Sequence, residues 1–304
     1  ENQVVLLHSH FGNEGFRNLE LKQRLKVPMI TSFYGYDVSK LLKGPLWFHR
    51  YQRLFSEGEI FLAEGNYMRK SLVELGCPGE KVIVQHLGVD LEKIKFEPRR
   101  IGRDGKIKIL VAGSFTEKKG IPYALMTFAR IRAKYDNLEL SLIGDSSGIS
   151  SDELEKSKIL NIISKYDLRK SINLLGYQPY SIFLKEIYKH HMFLSPSIHA
   201  SSGDTEGGAP VSIIEASASG MPVLSTIHCD IPHVVMDGKS GYLAPERNID
   251  ALAERLEFFV SNPNIWIKMG QKGREHVKKN YNVRNQVQKL EEIYHSAIRK
   301  TNFF

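Results

Sequence analysis

Short apolar runs alternate with amphipathic segments along the whole chain, and this alternation constrains the fold more than any other feature. Each run has the length and the β-branched content of a buried strand. Strands that alternate with helices in this way are typical of a doubly wound α/β architecture with parallel sheets. The predicted strands are Val4–Leu7, Pro28–Ser32, Ile60–Ala63, Lys81–Gln85, Ile107–Gly113, Leu138–Ile143, Ile172–Leu175, Met192–Ser195 and Pro222–Thr226.

Helical patterns lie between these runs. Pro122 stands where a first-turn proline belongs, and apolar residues follow it on one face. Ser150 and Glu153 have the spacing of a capping box, which predicts a helix that begins there. The predicted helices are Pro45–Phe55, one that begins near Pro122, Ser150–Tyr166, Val211–Ser219 and Val283–Lys300.

A charged stretch without periodicity, EKIKFEPRRIGRDGK at 92–106, interrupts the alternation. A new apolar strand begins directly after it, so we predict one α/β unit before this linker and a second unit after it. The first unit has only about four predicted strands. We expect the last predicted helix to pack back on that first unit.

The charge balance narrows the classes of partner. The chain has 304 residues, enough for two domains, and a formal net charge of +8. It lacks an interleaved aromatic-and-basic cassette, so we predict that it does not bind nucleic acid. The basic excess suits a phosphate-bearing small ligand or an anionic membrane face equally well, and a role in solubility alone stays an alternative.

The cysteines and the apolar runs indicate a compartment. The two cysteines, Cys77 and Cys229, cannot form a disulfide framework or a zinc site by themselves, which favours a reducing environment. The sequence shows no signal-peptide pattern and no apolar run of about 18 residues or more. We therefore predict a cytoplasmic protein that at most lies peripherally on the inner face of the membrane. Because the sequence starts at Glu1 directly before a strand-like run, we expect that N-terminal residues are missing.

In doubly wound folds, ligands bind outside the carboxyl ends of the strands. One such turn is VAGSFTEKKG, where Gly113 and Ser114 follow a predicted strand and Lys119 precedes a helix. Backbone N–H groups and a lysine at a helix entrance suit a pyrophosphate. The turn has neither the P-loop order nor a G-x-G-x-x-G pattern, so an exposed lysine turn without a ligand stays an equal alternative.

A second turn, GDTEGGAP, leads into the predicted helix Val211–Ser219. Glu206 precedes the pair Gly207-Gly208, and Glu215 falls in the early turns of the helix. A helix N-terminus favours nearby carboxylates for electrostatic reasons alone, which accounts for one glutamate but not for two beside a glycine pair. Carboxylates accept hydrogen bonds from vicinal hydroxyls, so a ligand with ribose, pyrophosphate and a hexose would satisfy both features.

A third turn, HSHFGNEG, places His8 and His10 two residues apart, so their side chains face the same way on a strand. No Asp-x-Asp pair or His/Cys spacing supports a metal site, and we predict none. His10 as a single pocket histidine is the more economical functional interpretation, and a structural role is the alternative.

Together these segments resemble glycosyltransferase family 4, the retaining GT-B transferases that use nucleotide sugars. The resemblance covers essentially the whole chain, and within the family it is similar to bacterial exopolysaccharide transferases of the colanic-acid type. Several motifs in the same order form a more specific signal than any single one. The motifs are HSHFG, TSFYGYDVS (31–39), the segment 66–96, VAGSFTEKKGI (111–121), LSLIGD (140–145), INLLGY (172–177), FLSPS (193–197) and EGGAPVSIIEASASGMPVLST (206–226).

The resemblance implies the GT-B fold class, two Rossmann-like doubly wound domains with a cleft between them. Residues 1–97, with a C-terminal helix at about 284–304, would form a partial, truncated acceptor-side domain. Residues 98–283 would form the domain that binds the nucleotide-sugar donor. Transferases of this fold generally need no metal, so the resemblance implies no metal and no cofactor, with the donor as a substrate.

The family pattern also implies roles for individual residues. Glu215 would accept the ribose hydroxyls, Glu206 would contact the donor sugar, and Lys119 would neutralise the departing pyrophosphate. His10 would lie near the reacting centre in the acceptor-side domain. The implied donor-binding residues are Gly113, Ser114, Lys119, Glu206, Gly207, Gly208, Ala209, Pro210 and Glu215, and the implied acceptor-side residues are Tyr34 and Asp37.

The chain departs from the family pattern in several places. Eight residues rather than seven separate Glu206 from Glu215, which bears on the role of Glu206. Ser114 stands where relatives carry an arginine, so one pyrophosphate cation is lost, and Tyr34 stands where many relatives have histidine. The first strands and the Gly-rich loop of the acceptor domain are absent from the sequence, which bears on acceptor binding.

The resemblance implies a retaining hexosyltransferase that uses a UDP- or GDP-sugar and a glycan or lipid-linked oligosaccharide acceptor in exopolysaccharide or cell-surface polysaccharide biosynthesis. One alternative is a non-catalytic module that binds a nucleotide sugar, suggested by Ser114 and by the short first unit. Another is a different GT-B enzyme such as a sugar-nucleotide 2-epimerase, which the motif set disfavours.

Overall fold

The computed structural model describes residues 4–301, without the side chains of residues 300 and 301. By their internal contacts the described residues form two compact units. The first unit comprises the chain up to Gly88, Ser202–Ala209 and the chain from Tyr281 onward. The second unit comprises Val89–Ser201 and Pro210–Asn280. We predicted that the first unit ends at residue 97, whereas its first segment ends at Gly88.

The first unit holds a parallel sheet of four strands in the order β1-β2-β3-β4. Side chains alternate between its faces, so Phe33 and Phe61 pack towards α3 whereas Ile30 and Leu62 pack with Ile293 of α12. The elements are β1 (Leu7–His10), α1 (Gly12–Arg17), α2 (Leu19–Leu25), β2 (Met29–Ser32), α3 (Trp47–Glu57), β3 (Ile60–Ala63), α4 (Asn66–Glu74), β4 (Val82–Val84) and α12 (Val283–Thr301).

The second unit holds a parallel sheet of six strands in the order β10-β9-β8-β5-β6-β7. Its core includes Phe128 and the fully buried Trp266, whose Nε1 donates to the Phe259 carbonyl oxygen at 3.0 Å. The elements are β5 (Ile107–Ala112), α5 (Ile121–Arg132), β6 (Leu138–Ile143), α6 (Ser150–Lys165), β7 (Ile172–Gly176), α7 (Tyr180–Lys189), β8 (Met192–Ser195), α8 (Val211–Ala218), β9 (Val223–Thr226), α9 (Ile231–Val234), β10 (Gly241–Ala244), α10 (Ile249–Ser261) and α11 (Trp266–Asn280).

The predicted doubly wound α/β class with parallel sheets is confirmed, but the first predicted strand is wrong. The strand that pairs with β2 is Leu7–His10, not Val4–Leu7. The apolar pattern misplaced it because three of the four residues of β1, His8, Ser9 and His10, are polar. We also missed β10. Its first residue is Gly241, where an added Cβ would lie 2.1 Å from the Val223 carbonyl oxygen, so the neighbouring strand requires a residue that is a poor strand signal.

Of the two helix starts predicted from sequence signals, one is confirmed and one is wrong. Pro122 lies in the first turn of α5, as predicted. The capping box predicted at Ser150 and Glu153 is wrong, because the N-cap of α6 is Ile149 and it makes no side-chain cap hydrogen bond. Glu153 instead accepts a hydrogen bond from Ser146 in the preceding loop. Among the described helices, none is both long enough and apolar enough to cross a bilayer.

A glycine fixes the close approach of two loops in the second unit. Gly120 begins α5 with φ +61, a left-handed conformation that favours glycine. A Cβ added there would lie 1.9 Å from the carbonyl oxygen of Pro196, which follows β8. The loops after the neighbouring strands β5 and β8 therefore touch through backbone atoms.

We expect Gly120→Ala to destabilise the second unit more than Gly238→Ala. Both glycines have positive φ, but a Cβ at Gly238 would meet no atom within 4 Å. The two variants share the ~1–2 kcal/mol cost of a left-handed alanine, and the collision should add ~1–3 kcal/mol at Gly120. The measurement is urea unfolding followed by the fluorescence of Trp266, in a Trp47→Phe background. Equal losses of unfolding free energy would contradict the proposed contact.

Candidate functional site

The loop after β5 brings two of the predicted donor residues together. The aliphatic stem of Lys119 lies over Gly113, where an added Cβ would be 3.2 Å from Lys119 Cδ. Ser114 follows, and its Oγ lies 3.5 Å from the Thr116 hydroxyl. A short 3₁₀ turn, Glu117–Lys119, then leads into α5. This arrangement places a lysine, glycine backbone and a helix start at the carboxyl end of one strand, as the pyrophosphate interpretation requires.

The segment after β8 supports this loop. The Ile198 N–H donates to the Lys118 carbonyl oxygen at 2.8 Å. The Ser201 amide and hydroxyl both donate to Glu117 Oε2, at 2.9 and 2.6 Å. The two residues directly before Lys119 are therefore held by this segment, one through its backbone carbonyl and the other through its carboxylate.

Glu215 lies in α8, the helix that follows β8, and is almost fully buried at 6% exposure. Its Oε1 accepts a hydrogen bond from the Tyr180 hydroxyl at 2.7 Å. Burial raises the pKa of Glu215, and the hydrogen bond from Tyr180 opposes that rise. Tyr180 is a site residue that we missed. The available signal was its place at the first residue of α7, after a parallel strand.

The second predicted turn groups with the first unit at Glu206, Gly207, Gly208 and Ala209. Gly207 has φ +72, and a Cβ there would lie 2.3 Å from Gly35 Cα. A Cβ on Gly208 would lie 2.4 Å from Glu64 Oε2. A side chain at either position would collide with Gly35 or Glu64, so close packing within this unit accounts for the glycine pair.

The amides of that turn have acceptors inside the loop. The Gly207 N–H donates to Thr205 Oγ1 at 3.2 Å, and the Gly208 N–H donates to the Glu206 carbonyl oxygen at 2.9 Å. The resemblance implies that Gly207 and Gly208 bind the donor, and in this structure their amides close the turn. Pro210 is the N-cap of α8 and belongs to the second unit.

The first unit contains a pocket of about 170 Å³ at the carboxyl ends of β1, β2 and β3, closed on one side by α12. Its wall combines apolar side chains with imidazole, phenol, carboxylate and amide groups. The lining residues are His8, His10, Ser32, Phe33, Tyr34, Leu62, Glu64, Gln85, His86, Leu87, Gly88, Val283, Gln286, Val287 and Leu290.

His10 and Tyr34, both predicted site residues, meet at this pocket. His10 Nδ1 lies 2.6 Å from the Tyr34 hydroxyl, and the His8 and His10 rings stack at 4.5 Å. Both ring nitrogens of His8 also have hydrogen-bond partners: Nδ1 lies 2.6 Å from the Tyr294 hydroxyl and Nε2 lies 2.8 Å from the Ser32 hydroxyl. Burial, with a smaller effect of His10, lowers the pKa of His8 to about 4, so His8 is neutral at pH 7.

Asp37 does not line this pocket, although it contacts Tyr34, which does. Its side chain is fully buried, Oδ1 accepts the Tyr34 N–H at 2.7 Å, and Oδ2 accepts the Gly12 N–H at 2.6 Å. The predicted acceptor-side residue therefore acts in this structure as a positioning residue, which fixes the backbone of Tyr34 and the start of α1.

Glu64 is a pocket residue that we missed. It follows β3 directly and lines the pocket with Tyr34, whose pKa is raised by burial and then by the Glu64 charge. The signal was present, because the strand Ile60–Ala63 was predicted with its correct bounds and ligand groups follow strand ends.

Comparison with known families decides the class of protein. Residues 93–276 match the family described as "Glycosyl transferases group 1". The chain belongs to this family. The match covers most of the second unit, so Gly113, Lys119 and Glu215 all lie within it.

Two relatives are named as glycosyltransferases of colanic acid and amylovoran biosynthesis. The putative colanic acid biosynthesis glycosyltransferase WcaL of Salmonella typhimurium is 31% identical over 278 residues, which are 90% of this chain and 66% of the relative. The amylovoran biosynthesis glycosyltransferase AmsK of Erwinia amylovora is 32% identical over 81% of this chain and 59% of the relative. The chain thus spans about three fifths to two thirds of their length, and the resemblance to exopolysaccharide transferases is confirmed.

Solved structures show the fold. Anabaena Alr3699/HepE, in complex with UDP and glucose, superposes with a TM-score of 0.83 at 14% identity over 96% of this chain and 78% of that protein. A sucrose-phosphate synthase from Thermosynechococcus elongatus gives 0.82 at 17% identity, over 97% of this chain and 74% of that protein. The predicted GT-B class, with two Rossmann-like halves, is confirmed.

The buried Asp37 should make stability depend on pH. Burial raises its pKa from 3.8 to about 7, although its two backbone donors oppose the rise. Between these values the folded protein holds a proton that the unfolded chain releases, so the Asp37 contribution to stability is lost as pH rises. We expect the unfolding free energy of the wild type minus that of Asp37→Asn to fall across this range.

The measurement is urea unfolding from pH 4.5 to 8, in a Trp266→Phe background so that Trp47 reports on the first unit. Asp136→Asn, an exposed aspartate, is the matched control and should give a flat difference. A difference for Asp37→Asn that does not change with pH would show that Asp37 is ionised in the fold throughout.

Proposed function

We propose that the chain is a retaining glycosyltransferase that moves a hexosyl group from a UDP- or GDP-sugar to a glycan or lipid-linked oligosaccharide acceptor. The observation that carries this proposal is Lys119 packed over Gly113 at the end of β5, in a loop held by the segment after β8. The relatives named for colanic acid and amylovoran biosynthesis support a role in exopolysaccharide or cell-surface polysaccharide assembly.

On the donor side, the Lys119 ammonium would neutralise the diphosphate that leaves as the glycosidic bond to the donor breaks. Glu215 would accept hydrogen bonds from the ribose hydroxyls, with Tyr180 holding one carboxylate oxygen in place. Glu206 would contact hydroxyls of the hexose. Lys119 and the N-terminus of α8 supply positive potential without an ion, so we propose that transfer needs no metal and no cofactor.

On the acceptor side, His10 and Tyr34 would bind the attacking hydroxyl. Retention implies that this hydroxyl attacks the face from which the diphosphate departs. The apolar share of the pocket wall suits an acceptor with a lipid portion. We place the reaction at the cytoplasmic face of the membrane, where the net charge of +8 would favour peripheral contact with anionic lipids.

A second candidate is a module that binds a nucleotide sugar without turnover. The observation that favours it is Ser114, a neutral side chain in the loop that also carries Lys119. Calorimetric binding of UDP- or GDP-sugars without donor cleavage, with any acceptor tested, would select this candidate over the enzyme.

Lys119→Ala should lower the rate of donor cleavage by about 10²- to 10³-fold, the usual loss when one group that stabilises developing charge is removed. The measurement is release of UDP or GDP from the nucleotide sugar by the purified chain. Lys118→Ala is the matched control, because it removes the same charge from the adjacent position and should retain activity. Unchanged activity in both Lys119→Ala and Glu215→Ala would refute the assignment of the donor site.

Glu215→Gln should weaken UDP binding by about 10- to 100-fold, since it removes a charged hydrogen-bond acceptor. If the ribose hydroxyls are its partners, the same substitution should change the affinity for 2′,3′-dideoxy-UDP very little. Both affinities can be measured by calorimetry, with the exposed Glu254→Gln as control. Equal losses for the two ligands would place Glu215 away from the ribose.

A further inference from the structure

A cluster of side chains of the types that can bind a metal ion lies outside the donor residues described above. His199 follows β8, His228 and Cys229 follow β9, and Glu246 follows β10. These three strands are parallel neighbours, so their carboxyl ends meet at one edge of the sheet. One ligand atom from each of His199, His228 and Cys229 lies within 4.8 Å of the other two.

Glu246 orients both imidazoles. His199 Nδ1 and His228 Nδ1 each lie 2.7 Å from Glu246 Oε1. Because a carboxylate accepts hydrogen bonds, both rings carry the proton on Nδ1, and the Nε2 atom of each becomes the one suited to a metal. A histidine that donates its other N–H to a carboxylate is the usual arrangement of a metal ligand.

The Cys229 thiol is the third candidate ligand. His228 Nε2 lies 3.2 Å from Cys229 Sγ. In a tetrahedral zinc site the same two atoms would be ~3.6 Å apart, given Zn–N near 2.0–2.1 Å and Zn–S near 2.3 Å. A displacement of a few tenths of an ångström would therefore admit an ion between them.

We propose that His199, His228 and Cys229 bind a divalent ion of the zinc class. Two imidazole nitrogens and one thiolate are the ligands that a borderline-soft ion prefers, and three protein ligands leave a fourth position for water or another small ligand. Cys229 binds as the thiolate, so its proton is released to solvent when the ion enters. Glu246 stays outside the coordination sphere and carries the negative charge that the two imidazoles face.

The ion would act on the loop of Lys119 and not as a participant in sugar transfer. His199 is the residue after Ile198, whose N–H donates to the Lys118 carbonyl oxygen at 2.8 Å. Arg247, next to Glu246, donates to the His199 carbonyl oxygen and lies 3.9 Å from Glu117. A metal bound to His199 would thereby fix the segment that supports the Lys119 turn.

The test is metal binding by the purified, chelator-treated full chain, with Zn²⁺ measured by calorimetry and Co²⁺ by absorption. We expect one ion per chain, and for Co²⁺ a thiolate charge-transfer band in the near ultraviolet with the visible bands of tetrahedral coordination. Cys229→Ser should abolish the charge-transfer band. Loss of a residue that only orients a metal ligand typically weakens metal binding by about 10- to 100-fold. We expect a loss of that size, with the charge-transfer band retained, for Glu246→Gln. His199→Gln should weaken Zn²⁺ binding by more than this, because it removes a ligand.

Matched controls are Cys77→Ser, a buried cysteine of the other unit, and His49→Gln, an exposed histidine. Both should bind Zn²⁺ like the wild type, and circular dichroism should confirm that every variant is folded. Absence of Zn²⁺ and Co²⁺ binding by the wild type would overturn the proposal, as would binding that survives both Cys229→Ser and His199→Gln. Donor binding does not enter these readouts, so this result is independent of the proposed transferase function.

Discussion

Parallel strand pairing is the constraint on which the rest of this structure depends. In a parallel sheet every strand ends at the same edge, so side chains far apart in sequence converge there. In the second unit this edge carries Gly113 and Lys119 after β5 and the helix of Glu215 after β8. In the first unit it carries His10 at the end of β1 and Glu64 directly after β3, beside one pocket.

Much of this organisation could be predicted from the sequence, because buried parallel strands appear as short continuous apolar runs. The bounds of β3, β6 and β8 were correct for that reason. The prediction of strands from apolar runs failed where a strand contains residues that are not apolar. β1 consists mostly of polar residues, and β10 begins with a glycine that the backbone of β9 requires.

The candidate site was predictable only to the level of individual turns. Local spacing identified Lys119 and Glu215, since each follows a strand that could be recognised. It could not show that Tyr180 reaches Glu215 from a different helix, nor that Asp37 accepts a hydrogen bond from the Gly12 amide. These contacts depend on which strands become neighbours, and a single sequence does not specify that order.

Glu246 also bears on how the second unit assembles. One of its oxygens joins His199, 47 residues away, and His228, 18 residues away, so both contacts need β8, β9 and β10 to be paired already. Contacts with long sequence separation form late in folding because the chain entropy of loop closure must be overcome first. The environment of the neighbouring Cys229 thiol therefore changes only once this half of the sheet is complete. The rate at which the Cys229 thiol is alkylated during refolding would therefore report when these three strands pair.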